Sequence, residues 1–205
     1  MASKPLRIAV IAAHPRSRSF TMSAARAFAE AAVAAGAEVT IRDLYRLNFD
    51  PRLRAGELPD HQGFSARPDV RRERAALAGS DVFAFFHPLW FNSAPAMMKG
   101  YVDRVFGMGF GYSASGLEGN QPLLGGKRLV VFTSTGAPQQ WVQDTGVSAL
   151  QAQVDRHLAA VTGLDLIGHH NFGGLTPSLR SDVARVHLDH IRNEARRIVR
   201  ARSYR

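Results

Sequence analysis

The sequence predicts an α/β fold: a five-stranded parallel sheet with helices on both faces. Three observations predict it. Short apolar runs alternate with helical stretches along all 205 residues. The runs "RIAVIAA" and "KRLVVFTS" are apolar without alternation, as in strands buried on both faces. Gly36 and Pro68 fall where a helix should end and begin.

The elements follow in order. Arg7–Ala13 is the first strand, and Ser19–Ala35 is an alanine-rich helix closed by Gly36. Glu38–Asp43 is the second strand. Leu44–Ala66 carries Pro51, Gly56 and Pro59 and is expected to be irregular. Pro68–Ala78 is a charged surface helix with proline in its first turn. Asp81–Phe86 is the third strand, and Pro95–Phe106 a helix with Asn92 or Ser93 as its expected cap. Gly107–Gly126 is a long glycine-rich loop, and Lys127–Ser134 the fourth strand. A helix over Val147–Val161 and a fifth strand over Leu164–Gly168 come next. The last helix runs over Ser178–Ala201, with Ala184, Leu188, Ile191, Ala195 and Ile198 on one face. No repeat, linker or low-complexity segment divides the chain, so one domain over residues 1–205 is expected.

Composition excludes several classes. A content of 45% hydrophobic and 21% charged residues is that of a globular protein. No apolar run reaches the length of a membrane span, and "MASKPLRIAV" enters a strand pattern directly; a cytoplasmic protein is expected. The absence of cysteine removes disulfides, thiolate nucleophiles and Cys-ligated metals. Net charge is +9, and +5 of it falls between Ser178 and Arg205, where eight arginines face Asp182, Asp189 and Glu194. No aromatic-interleaved basic motif accompanies that charge, so a solvated helix face is expected rather than a nucleic-acid site.

In parallel sheets, ligands bind beyond the C-terminal strand ends, around the point where strand order reverses. The loops leaving strands one, three and four are therefore the candidates. "HPRSRSFT", His14–Thr21, leads into a helix N-terminus, where unsatisfied N–H groups and the helix dipole favour an anion. Ser17, Ser19 and Thr21 offer hydroxyls, and Arg16 and Arg18 offer charge; Ser19 as a simple helix cap is the plainer alternative. "PLWFN", Pro88–Asn92, puts two adjacent rings, Trp90 and Phe91, on a turn. They are either the wall of a planar ligand or packing in the core or against a second subunit. "TSTGAPQQW", Thr133–Trp141, contains Thr135, Gly136 and Ala137, small enough for backbone to approach a ligand.

Other motifs carry less. The "GMGFG" at Gly107–Gly111 follows a helix, not a strand, and there is no Rossmann fingerprint, Walker lysine or G-x-S-x-G elbow. His169 and His170 are adjacent on a strand and point to opposite faces, so no metal is assigned.

"AHPRSRSFT", "DLYRLNFDP", "HPLWFNSAPAMMKGYVDRVFGMGFGY" and "TSTGA" stand in an order and spacing that resembles the flavodoxin-like NAD(P)H:quinone oxidoreductases. The resemblance is to the DT-diaphorase-like branch, which also contains bacterial modulator-of-drug-activity proteins and ancillary subunits of potassium-efflux systems. It covers the chain from strand one to strand five and thins over the last helix. It implies a three-layer flavodoxin-like sandwich of strand order 2-1-3-4-5, non-covalent FAD with FMN as the alternative, and a homodimer with active sites at its interface. By resemblance, His14, Ser19, Phe20 and Thr21 match the flavin phosphate and ribityl region. Pro88, Leu89, Trp90, Phe91 and Asn92 match the loop around the isoalloxazine. Thr135, Gly136 and Ala137 match its opposite edge, and Tyr112 matches an aromatic lining the partner's pocket.

The mammalian members carry a tyrosine and a histidine after the threonine–glycine loop. Here Trp141 falls near the tyrosine position and no histidine follows, so that proton-relay role is not carried over. The implied reaction is two-electron, ping-pong hydride transfer from NAD(P)H to the flavin and on to a quinone, with no side chain assigned as acid or base. A second expectation is a flavin-binding ancillary subunit of a membrane potassium-efflux transporter, with the basic C-terminal face for docking.

Overall fold

A computed structural model describes residues 4–58, 64–114, 119–138, 140 and 154–201. Its main sheet has five parallel strands: β1 (Arg7–Ala12), β2 (Glu38–Asp43), β3 (Val82–Pro88), β6 (Arg128–Ser134) and β7 (Asp165–Phe172). Their order is β2-β1-β3-β6-β7, which is the expected 2-1-3-4-5. All four ladders are parallel, and β6 and β7 pair with a register shift between Leu129 and Val130. Every residue of β3 is buried, as its unalternating apolar sequence requires.

Two helices cover one face. They are α1 (Phe20–Ala34) and α5 (Ser181–Arg200), whose apolar side chains, Phe28 and Ile191 among them, share a core with Ile8, Val10, Ala84 and Phe132. On α5 the expected stripe is the one that packs: Ile191, Ala195 and Ile198 are buried, and Ala184 and Leu188 partly so. The other face carries α2 (Pro68–Leu77), α3 (Ala96–Val105) and α4 (Arg156–Thr162), packed on Ile11, Phe83, Phe85 and Val131.

Three expectations change. The 107–126 stretch is not all loop, since β4 (Tyr112–Ala114) pairs antiparallel with β5 (Asn120–Pro122). Gly109 and Gly119 take φ of 84° and 82° on either side of β4, which glycine permits at little cost. The fifth strand is longer than its apolar run and continues to Phe172, because the two histidines and Asn171 find polar partners on the sheet faces. The helix expected over 147–161 lies partly outside the described residues, and its described part, α4, extends to Thr162.

The irregular stretch after β2 includes a single 3-10 turn, Ala55–Glu57. It is pinned from α3: the Arg104 guanidinium donates to Glu57 at 2.9–3.1 Å, to Asp69 Oδ2 at 2.7 Å, and to the Asp50 carbonyl. Gly100 lets α3 come this close, since a Cβ there would lie 2.1 Å from the Pro51 carbonyl oxygen.

Candidate functional site

The strand order reverses beside β1, and the loops leaving β1, β3 and β6 meet there in a cleft of about 220 Å³. From the first loop and α1 it is lined by His14, Ser19, Phe20 and Thr21. Pro88, Leu89 and Trp90 come from the end of β3, and Thr135 and Gly136 from the β6 loop. Nine of the predicted residues thus share one cavity. Two lining residues have no place in the sequence reading: Ser134, the last residue of β6, and Leu175, from the segment after β7. Ser134 sat inside the quoted motif; Leu175 carries no sequence signal, because only folding brings its segment to this edge.

The first loop leads into the N-terminus of α1 at the cleft. Ser19 is the N-cap of α1 and its Oγ accepts from the Met22 N–H at 3.2 Å, so the plainer capping role is real. The 15-residue helix behind it adds its positive end. The His14 Nδ1 accepts from the Arg16 N–H at 3.0 Å, which places the ring proton on Nε2. Burial lowers the His14 pKa, and the charges of Arg16 and Arg46 add to the lowering. The imidazole is therefore a neutral N–H donor near pH 7. Arg46 also donates to the His14 and Pro15 carbonyls, at 3.2 and 3.1 Å, and Arg26 to the Ser17 carbonyl at 3.2 Å. Arg16 and Arg18 are exposed on the same loop and add positive charge to it.

The second loop is a tight turn. Trp90 and Ser93 exchange backbone hydrogen bonds of 3.0 and 3.1 Å, and both residues between them take positive φ: Phe91 50° and Asn92 58°. Positive φ suits asparagine but is an outlier for phenylalanine, a strain of order 1 kcal/mol. The Phe91 side chain gains nothing from the core in exchange, being fully exposed, and Trp90 is 45% exposed. Packing of these rings into the core is therefore excluded, while the ligand wall and the contact with a second subunit both stay open. Trp90 leans edge-on against His14, with ring centroids 6.0 Å apart. The strained turn places Phe91 and Asn92 outside the cleft lining, and Ala137 lies just past its edge.

The helix after this turn also differs from expectation. Pro95 is the N-cap of α3, and neither Asn92 nor Ser93 caps it; among the described residues no side chain caps this helix. The strained turn carries both residues away from the capping position.

The third wall is knitted by backbone. Ser134 C=O accepts from the Leu89 N–H at 2.7 Å, and Thr135 C=O from the Leu175 N–H at 2.9 Å. The Ala137 N–H donates to Thr135 Oγ1 at 3.2 Å. Ser134 Oγ and Thr21 Oγ1 stand 3.1 Å apart, joining this wall to α1.

Tyr112 is not at the cleft. It sits in β4 and lines a second cavity of about 440 Å³ between α3 and α4, together with His87 and Asp155. His87 is wholly buried and its Nδ1 lies 3.0 Å from the Pro88 carbonyl. Burial pushes its pKa down to about 4, against the opposing carbonyl bond, with the His169 charge lowering and the Asp155 charge raising it. His169 and His170 do point to opposite faces: one meets Thr133 and Asp155, the other stacks on Phe132. Among the described residues no group of three His, Cys, Asp or Glu side chains is placed to hold a metal. Trp141 lies outside the described residues.

A family model described as a flavodoxin-like fold matches residues 6–195. The chain is 33% identical over 139 residues to an uncharacterized NAD(P)H oxidoreductase of Haemophilus influenzae, covering 67% of this chain and 68% of that one. It superposes on an NAD(P)H:quinone oxidoreductase from Methanothermobacter marburgensis with a TM-score of 0.82 at 26% identity, covering 95% of this chain and 98% of the other. An FMN-dependent NADH-azoreductase from Bacillus anthracis, solved in complex with FMN, shares the fold at 16% identity with a TM-score of 0.71, over 95% and 99% of the two chains. Among the described residues no helix is long and apolar enough to cross a membrane.

Proposed function

This chain belongs to the flavodoxin-like-fold family matched over residues 6–195, and from that premise we propose that it is a flavin-dependent NAD(P)H:quinone oxidoreductase. The observation that carries the reading is the meeting, in one cleft, of an anion-ready helix N-terminus and the half-exposed ring of Trp90, whose turn stays out of the core. A flavin fits that pairing, because it joins a phosphate to a flat apolar ring system. The relatives named as NAD(P)H and quinone oxidoreductases support the reaction class. The shared fold of an FMN complex supports the cofactor class.

When bound, the flavin supplies the redox chemistry, accepting hydride from NAD(P)H and passing it to the quinone in a ping-pong cycle. The protein's part is to hold and tune. The N-terminus of α1, with Ser19, Thr21 and the His14 Nε2–H, holds the phosphate and its linker, and Arg16, Arg18 and Arg46 add the positive field. Trp90 flanks the ring inside the cleft, and Phe91, on the same turn, shields its mouth from water. The uncapped N-terminus of α3 favours negative charge beside the second loop. No side chain is assigned as general acid or base. A second copy of the chain would cover Phe91 and complete the site, as the resemblance implies.

The test is direct. Purified protein should be yellow, release FAD or FMN identified by mass spectrometry, and oxidise NADPH or NADH in the presence of a soluble quinone. Flavin-loaded protein that shows no such turnover would refute the activity.

A further inference from the structure

Beneath the cleft, one residue back along three strands, lies a polar row that the reaction does not use. His87 of β3, Thr133 of β6 and Asn171 of β7 are partners in register. Their successors Pro88, Ser134 and Phe172 are in register too, and the first two line the cleft. Side chains alternate along a strand, so Ser134 turns to Thr21 on α1 while Thr133 turns to the opposite face.

Thr133 is the centre of a chain of bonds. Its Oγ1 donates to Asn171 Oδ1 at 2.7 Å and lies 2.8 Å from His169 Nε2. The Thr133–His169 bond takes the direction that the ring's tautomer sets. The other nitrogen of that ring, Nδ1, meets Asp155 Oδ2 at the start of α4. The His169 side chain is 0% exposed and that of Asp155 6%. An imidazole bound at both nitrogens and enclosed on all sides has one orientation.

Burying a carboxylate beside an imidazole costs desolvation that their attraction rarely repays in full, so stability alone is a weak reason for the pair. Its geometric effect is specific. Thr133 is joined by one peptide to Ser134, whose Oγ contacts Thr21 and whose carbonyl holds the Leu89 N–H. Turning Thr133 about the strand axis would move both contacts, and with them two walls of the cleft.

We infer that His169, held by Asp155, is a positioning residue for the flavin cleft: it clamps Thr133 Oγ1 and thereby sets Ser134 and the Thr135–Gly136 turn. The inference rests on the flavin reading above.

The test measures FMN and FAD binding to apoprotein by quenching of flavin fluorescence, with the visible spectrum of the bound flavin and a thermal unfolding curve for each variant. Thr133→Val removes the hydroxyl at nearly constant shape. The pair Asp155→Leu/His169→Leu removes the clamp without leaving an unpaired buried charge. His169→Gln keeps an amide able to reach Thr133. Thr133→Val and the apolar pair should fold cooperatively, bind flavin about tenfold more weakly and shift its spectrum. His169→Gln should recover most of the affinity. Thr133→Val added to the apolar pair should weaken binding no further, since both remove one link. Wild-type affinity and spectrum in Thr133→Val would overturn the inference, and that variant decides alone where the apolar pair does not fold. A wild-type protein that binds neither flavin fails at the first measurement, and what falls then is the flavin reading itself.

Discussion

His87 makes the fold sensitive to acid, by an amount the structure sets. The side chain is wholly buried and its pKa is pushed down to about 4 from 6.5. Unfolding restores an ordinary imidazole, which binds a proton below about pH 6.5 that the folded protein refuses until about pH 4. Between those values the unfolded state holds more protons, so stability rises with pH. The contribution is complete above the unfolded pKa and is lost as pH falls through the window. The full span corresponds to about 3 kcal/mol, and moving from about pH 7.5 to about pH 5 should remove about 2 kcal/mol. His14, His170 and His187 are lowered as well, so the total slope belongs to several groups. The difference between wild type and His87→Gln isolates one of them. Urea unfolding at the two pH values measures it. The variant should lose about 2 kcal/mol less than wild type over that interval. Equal losses in the two proteins would refute the argument and show that His87 takes up its proton as readily folded as unfolded.

Phe91→Ala should leave stability within about 0.5 kcal/mol, since the ring is fully exposed, while weakening flavin retention or hydride transfer; unchanged retention and turnover would assign the ring elsewhere. Ser19→Asp keeps a helix cap but adds negative charge at the anion site, so flavin content measured by absorbance should fall at unchanged helix content by circular dichroism. Arg104→Met leaves Glu57 buried without its partner and should destabilise by about 3–5 kcal/mol in urea unfolding. Gly100→Ala drives a Cβ into the Pro51 carbonyl and should cost about 1–3 kcal/mol, read as a lowered Tm.

The two faces of the site were unequally legible. The first loop could be read closely: a serine before an alanine-rich helix caps it, and the arginines around it are positive wherever they point. The aromatic turn was read for its composition but not for its shape. Nothing in "PLWFNS" announces that Phe91 takes a positive φ, or that Asn92 and Ser93 fail to cap the next helix. Local propensity favours both as caps; the reciprocal bonds between Trp90 and Ser93 override it. Strand alternation makes the adjacent histidines point apart, yet the partners of His169 lie 14 and 36 residues away, beyond the reach of local sequence.

What the sequence determined by itself is whatever follows from period, punctuation and side-chain type. Those are the strand–helix alternation, the doubly buried strands, the helix faces, and the three loops at one edge of a sheet whose order the observed β2-β1-β3-β6-β7 matches. Tertiary structure alone decided which atoms meet across that edge: Ser134 with Thr21, Leu175 with Thr135, Arg104 with Glu57, and Asp155 with His169 under the cleft. The reason is physical. Local backbone preferences are written within a few residues, whereas a buried polar group must find a partner wherever packing places one, and that partner is chosen by the whole chain at once.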